Sequence, residues 1–144
     1  MKAFSIERRV RFSHCDASGI VYFPHYFDFI NSAIEDWFDE GLGVPFNRFH
    51  LQQRFGTPVV NTNCDFVRPC LLGERLTVEL RVANLGRSSL ELAIRGHVAG
   101  VDRFRARHKV AMISLDTMRP VAIPEEMRLK MKEFLAPQVA PPGR

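Results

Sequence analysis

The sequence predicts an α+β fold in which one long central helix is wrapped by a curved antiparallel sheet of about five strands. Three observations carry that prediction. Phe23, Phe27, Ile30, Ile34 and Trp37, flanked by Tyr26, Ala33 and Phe38, recur at three- and four-residue spacing, which is the apolar stripe of a helix buried on a wide face. Segments of two-residue alternation follow it, joined by connections too short for a parallel crossover. The stripe covers too wide an arc to remain uncovered, so the sheet must curl round it.

Taken in order, Phe4, Ile6, Val10 and Phe12 alternate with polar residues and predict a first strand over Phe4 to Phe12. Ser13 to Gly19 is short and polar, a loop. The helix then runs from Pro24, whose missing N–H suits a first turn, to about Glu40, with Gly41 expected in the left-handed position past its end. A short helix is expected near Pro45 to Gln53. Thr57-Pro58 and Arg68-Pro69 bracket an extended segment, Val59 to Val67. Leu76 to Ala83 and Leu90 to Val98 alternate on either side of Asn84-Leu85-Gly86-Arg87 and predict a hairpin. A turn at Ala99-Gly100-Val101-Asp102 leads into a long strand from about Arg103 to Asp116. The strands after the helix read as a four-strand meander. Pro124 to Leu135, with Glu125 and Glu126 in its first turn, predicts a surface helix. One domain is expected over residues 1–135, with residues 136–144 a disordered Pro-rich tail.

At 144 residues, 46% hydrophobic and 25% charged, the chain has the size and composition of a single packed domain. A formal charge of +4 favours phosphate-bearing small molecules but lacks the clustering of a duplex binder. The charged start and the absence of a long apolar run predict neither a signal peptide nor a membrane span, and a cytoplasmic location. Cys15, Cys64 and Cys70 form no C-x-x-C pair, so neither a disulfide framework nor a thiolate metal site is suggested. The histidines at 14, 25, 50, 97 and 108 show no ligand spacing.

Chemistry concentrates in His14-Cys15-Asp16-Ala17-Ser18-Gly19-Ile20-Val21-Tyr22-Phe23-Pro24-His25-Tyr26. Asp16 stands in a loop that runs into a helix N-terminus, where free N–H groups and the helix dipole stabilise a developing oxyanion. A carboxylate beside such a place attacks an activated carbonyl or deprotonates the water that does. An Asp before a helix is more often a cap, but Asp16 lies too far from Pro24 to cap that helix. The run Gly19 to Phe23 is apolar and is expected to lead the chain inward. A Cys15–His14 nucleophile is disfavoured because neighbours on an extended segment point to opposite sides.

The Asp16-x-x-Gly19-Ile20-Val21-Tyr22-Phe23-Pro24-x-Tyr26 signature, with Gly56-Thr57-Pro58-Val59-Val60 and Asn63-Cys64-x-Phe66 after it, resembles the hotdog-fold acyl-CoA thioesterases of the 4-hydroxybenzoyl-CoA thioesterase family over about Val10 to Asp116. The resemblance implies a hotdog fold, a homodimer or dimer of dimers, and no cofactor, coenzyme A being part of the substrate. It implies Asp16 as nucleophile or general base, the backbone N–H of Phe23 as the group polarising the thioester carbonyl, and Gly19 as the residue that lets the loop approach. Tyr22, Pro24, His25, Tyr26 and Thr57 would shape the acyl pocket. Glu35 and Glu40, on the helix where another branch carries its catalytic Glu, read as solvated charges. Pro24-His25 places the chain nearer the aromatic-acyl branch than the short-chain one.

Arg103, Arg105, Arg107 and Lys109 share one parity of the last long strand, either a solvated face or a target for phosphates. The turn pair Arg87-Ser88 resembles the family's basic position near the coenzyme A phosphates, with Arg68 and Arg105 as weaker candidates. A non-catalytic acyl-CoA-binding module is the alternative, and it leaves Asp16 without a task. An RNA-binding role is disfavoured because only Phe104 interleaves with the basic residues, on the other face. A hydratase motif is not apparent.

Overall fold

The computed structural model describes residues 2–137; residues 138–144 of the expected tail lie outside the described residues. Strand β1 (Phe4–Arg9) precedes helix α1 (His25–Asp36), whose apolar stripe buries Tyr26, Phe29, Ile30, Ala33 and Ile34. Strands β2 (Phe55–Gly56), β3 (Val59–Phe66), β4 (Arg75–Leu85), β5 (Ser89–Val98), β6 (Val101–Ala111) and β7 (Ile113–Ser114) follow, then helix α2 (Glu125–Lys132). The fold is the expected one, a five-stranded antiparallel sheet in the order β1-β4-β5-β6-β3 against a central helix.

Alternation drives the packing. Leu76, Val78, Leu80 and Val82, then Leu90, Leu92 and Ile94, then Phe104, Ala106 and Val110 are buried beneath α1, while the intervening residues form the outer face. Gly96 shares the inner face with Phe104, its register partner, and a Cβ there would land on the Phe104 ring. The β5–β6 turn is made by Ala99 and Gly100, both at positive φ (48° and 82°), the backbone of a two-residue hairpin turn.

Several boundaries differ from expectation. β1 ends at Arg9 and Phe12 sits in a short helical turn, 81% exposed. The strands after α1 are not a simple meander: only β4, β5 and β6 are sequential neighbours, and β3 crosses to the far edge beside β6. The last strand breaks at Met112, whose N–H bonds Ser88 O, and Ile113–Ser114 pair instead with Phe55–Gly56.

Helix α1 continues into a wider turn, Trp37–Gly41. The left-handed residue beyond it is Gly43 at φ 70° rather than Gly41. Gly41 is required for a different reason: a Cβ there would lie 2.6 Å from Trp37 Cδ1, so its absence lets the buried indole fold back on its own turn. The expected short helix appears as a turn at Arg48–Gln52, with Phe49 buried. α2 is less superficial than expected, since Met127 and Met131 insert into the core. Among the described residues, no helix is long and apolar enough to cross a membrane.

Candidate active site

The Asp16 loop is a small closed unit. Cys15 and Val21 bridge its ends, Asp16 N–H donates to Ile20 O at 3.0 Å, and Gly19 N–H donates to Asp16 O at 3.1 Å. Gly19 supplies the left-handed φ of 79° that closes the turn, and the space where its Cβ would stand is open. The loop is docked sideways: Leu72 N–H donates to Gly19 O and Val21 N–H to Cys70 O, at 3.0 and 2.9 Å. It therefore takes its position from the segment that enters β4.

Asp16 itself is exposed. One carboxylate oxygen accepts from the Ser18 N–H at 2.8 Å and from the Ser18 hydroxyl. Among the described residues the other oxygen has no partner. Ser18, through its hydroxyl first and its N–H second, holds the Asp16 carboxyl below the usual carboxylate range. Asp16 is thus a standing anion with one oxygen committed to geometry and one available for chemistry.

Leading into α1, Tyr22 N–H donates to His14 O and Tyr26 N–H to Phe23 O, at 2.9 and 3.1 Å. The N–H of Phe23, between them, has no acceptor among the described residues, and Pro24 next to it has no N–H to offer. Phe23 is therefore the free donor at the helix start. The apolar run dips inward only at Val21; Tyr22 and Phe23 are 47% and 58% exposed and stack on each other at 5.6 Å.

Phe23 lines a cleft of about 290 Å³ with Val21, Tyr26, Phe66, Arg68 and Pro69. Its ring meets Phe66 edge-on at 6.1 Å, and Tyr26 packs on Phe66 and Phe104 at 5.4 and 5.3 Å. Tyr26 is a structural wall, because its hydroxyl accepts the Cys70 N–H and burial pushes its pKa up to about 12. Arg68, exposed and without a carboxylate partner among the described residues, is the cation of this cleft.

His25 bonds Asp28 at 3.1 Å through Nδ1. Its ring edge meets His14, whose Nδ1 accepts the Arg11 N–H at 2.9 Å. Cys15 Sγ is engaged with Arg11 O, so no Cys–His relay exists there. Glu35 and Glu40 are exposed, as expected.

Other expected site residues are not brought to the cleft by a single chain. Thr57 lines a separate apolar cavity of about 390 Å³ with Asn31, Ile34, Val59, His108 and Val110. Arg87 and Ser88 sit in the β4–β5 turn, at the opposite end of β4 from the Asp16 loop, roughly 30 Å along the strand. Arg105 points to the outer face, bound to Asp102 at 2.7 Å. Arg103 leaves the basic stripe altogether, pairing two-pronged with Glu74 at 2.7 and 2.9 Å. Periodicity assigned its face but carried no sign of that partner, 29 positions away.

A profile of the thioesterase-like superfamily matches residues 10–131, a span that holds the Asp16 loop, α1 and the whole sheet except β1. The chain belongs to the thioesterase-like superfamily. A 1,4-dihydroxy-2-naphthoyl-CoA hydrolase of Acaryochloris marina shares 30% identity with it over 67% of this chain and 68% of its own length. A 4-hydroxybenzoyl-CoA thioesterase of Pseudomonas shares 31% over 61% and 63%. A thioesterase-superfamily structure from Jannaschia superposes with a TM-score of 0.86 at 25% identity, covering 93% of this chain and 94% of that one. A 1,4-dihydroxy-2-naphthoyl-CoA thioesterase from Synechocystis has the same fold, with a TM-score of 0.83 at 22% identity over 92% and 97% of the two chains. The expectation of a hotdog-fold thioester hydrolase is met at the level of family and fold.

Proposed function

We propose that the chain is an acyl-CoA thioester hydrolase acting on a small aromatic acyl group, with Asp16 as the catalytic carboxylate and the Phe23 N–H as the oxyanion donor. The observation that carries this reading is that the loop closed by the Cys15–Val21 bridge holds a one-sidedly anchored Asp16 carboxylate and leads, two residues past the bridge, to Phe23, whose N–H is unengaged among the described residues and whose ring lines an aromatic cleft. As the thioester carbonyl is attacked, its oxygen gains charge, which a fixed N–H at a helix start stabilises. The carbon–sulfur bond breaks, coenzyme A leaves as its thiolate, and water supplies the oxygen of the acid. Asp16 either makes the first bond itself or takes the proton from that water; both use the same free oxygen.

Phe23, Tyr26 and Phe66 favour a flat acyl group over a short aliphatic one, since aromatic rings pack on one another at the spacings seen here. The names of the relatives, aromatic acyl-CoA hydrolases, point the same way. Arg68 is the ligand within this chain for a coenzyme A phosphate.

The active unit is a dimer paired through β3. That strand is an edge, almost wholly exposed on both faces, and exposed Val59, Val60 and Phe66 lie along it, with exposed Val67 just past its end. Phe66 stands at the Phe23 end of α1 and Val59 at the Asn31 end. Antiparallel pairing of two such edges brings the Thr57 cavity of one chain to the Phe23 cleft of the other, which accounts for their separation in a single chain. A cytosolic setting, where acyl-CoA is found, fits the three free cysteines.

The test is release of free thiol from a panel of aromatic and short aliphatic CoA thioesters by wild type and Asp16→Asn. Asp16→Asn keeps the shape and removes the basic oxygen, so turnover is expected to fall by about 10²–10⁴ while acyl-CoA binding and the circular dichroism spectrum persist. Absence of turnover by folded wild type across the panel, with binding intact, would establish a non-catalytic acyl-CoA binder instead.

A further inference from the structure

We propose that the outer face of the sheet carries an anion site, formed by Arg81, Arg95, Arg105 and Arg107 around Ala93, which takes a phosphate-bearing ligand independently of the acyl cleft. The register builds it. Arg81, Ala93 and Arg107 lie side by side across β4, β5 and β6, and Glu79, Arg95 and Arg105 form the adjoining row. Their neighbours along each strand are buried under α1, so these side chains stand on the opposite face from the helix. Together they rim a depression of about 240 Å³, with the small Ala93 between Arg81 and Arg107.

Charge is not balanced there. Arg95 and Arg105 are directly opposite each other, a like-charge pairing that destabilises a sheet unless something bridges it. Asp102 bridges them, its two oxygens serving Arg95 and Arg105 separately, and Asp65 of β3 stands in register on the other side of Arg105. Arg81 reaches Glu79 only at 3.4 Å. Arg107 has no carboxylate partner among the described residues. Three carboxylates, Glu79, Asp102 and Asp65, thus face four guanidiniums, and the surplus positive charge falls on the Arg81–Ala93–Arg107 row, which holds no carboxylate, whereas the next row pairs Glu91 with Lys109 in the ordinary opposed manner.

Protection of a sheet edge does not explain the cluster. β4, β5 and β6 are the three interior strands, and the edges are β1 and β3. Charge placed to discourage edge pairing belongs on an edge. What remains is a socket of fork-shaped donors with an open centre, which suits the several oxygens of a phosphate or diphosphate better than a single carboxylate.

The experiment is calorimetric titration of the full chain with inorganic pyrophosphate at physiological ionic strength, where exposed charges more than about 8 Å apart are screened. Saturable binding is expected, weakened about tenfold or more by Arg107→Ala and by Arg81→Ala. Arg107→Lys, which keeps the charge and loses the fork, should also weaken it. Asp16→Asn and Arg68→Ala should bind pyrophosphate as wild type does, which separates this site from the acyl cleft whether or not the chain hydrolyses thioesters. Competition by adenosine 3′,5′-bisphosphate or by inorganic phosphate then distinguishes a nucleotide from a free-phosphate source. Absence of saturable binding, undiminished binding by Arg107→Ala, full affinity in Arg107→Lys, or loss of binding in Arg68→Ala would each overturn the proposal. Circular dichroism of each variant excludes unfolding as the cause of a loss.

Discussion

The phenolic oxygen of Tyr26 accepts the backbone N–H of Cys70 at 3.1 Å, tying the first turn of α1 to the segment that holds the Asp16 loop. Cys70 O in turn accepts from Val21 N–H at 2.9 Å. Helix start, Asp16 loop and entry to β4 therefore share one buried junction, in which Cys70 is wholly buried and Tyr26 nearly so. A buried N–H that loses its acceptor retains the full desolvation penalty. Tyr26→Phe is expected to destabilise the fold by about 1–3 kcal/mol, read as a lowered urea midpoint with unchanged slope. It should also depress turnover more than a distant substitution of equal destabilisation, because the loop loses its anchor.

The second prediction concerns pH. Ser18 stabilises the Asp16 carboxylate through its hydroxyl and its N–H, so the acid limb of kcat/KM, where Asp16 takes up a proton, should lie below the ordinary carboxylate range. Ser18→Ala removes the hydroxyl and leaves the N–H. The folded-state pKa then rises, and the acid limb is expected to move to higher pH while the neutral plateau is retained. A pH–rate profile of the two proteins reads this directly; an unmoved limb would show that Asp16 is not the group titrating.

Arg68 supplies the third. It is the cation of the Phe23 cleft, and a charge-assisted hydrogen bond to phosphate is worth about 1.5–3 kcal/mol. Arg68→Ala is expected to raise KM for a CoA thioester about tenfold or more with little change in kcat. The same acyl group on a short thiol that lacks the nucleotide should show no such rise.

Much of this was legible in the sequence, for reasons that also explain what was not. The inner faces of β4, β5 and β6 could be assigned residue by residue, because burial on one side of a sheet writes a strict alternation. Strand order could not, since alternation is the same whichever neighbour a strand has; β3 thus read as part of a meander although it pairs with β6. The two-residue strands β2 and β7 are shorter than any period. Asp16, Gly19 and Phe23 are legible as candidates because their motif is one contiguous stretch of chain. The Arg103–Glu74 pair and the Tyr26–Cys70 bond join positions 29 and 44 apart, and only folding brings them together. Arg87 was placed beside the site by likeness of sequence, yet β4 holds it at the far end of the sheet in its own chain.

The last prediction follows from that separation. Val60 is 55% exposed on the edge strand, so its replacement disturbs no core contact within one chain, whereas a charge there opposes edge-to-edge pairing. Wild type is expected to elute with the mass of a dimer or a multiple of it by light scattering, and Val60→Lys to shift toward monomer with its far-ultraviolet spectrum retained. If the Thr57 cavity of one chain completes the Phe23 cleft of the other, turnover should fall in step with the dimer fraction and recover as protein concentration is raised. A monomeric Val60→Lys with full activity would show that each chain carries a complete site, and would leave Thr57 without a part in binding the acyl group.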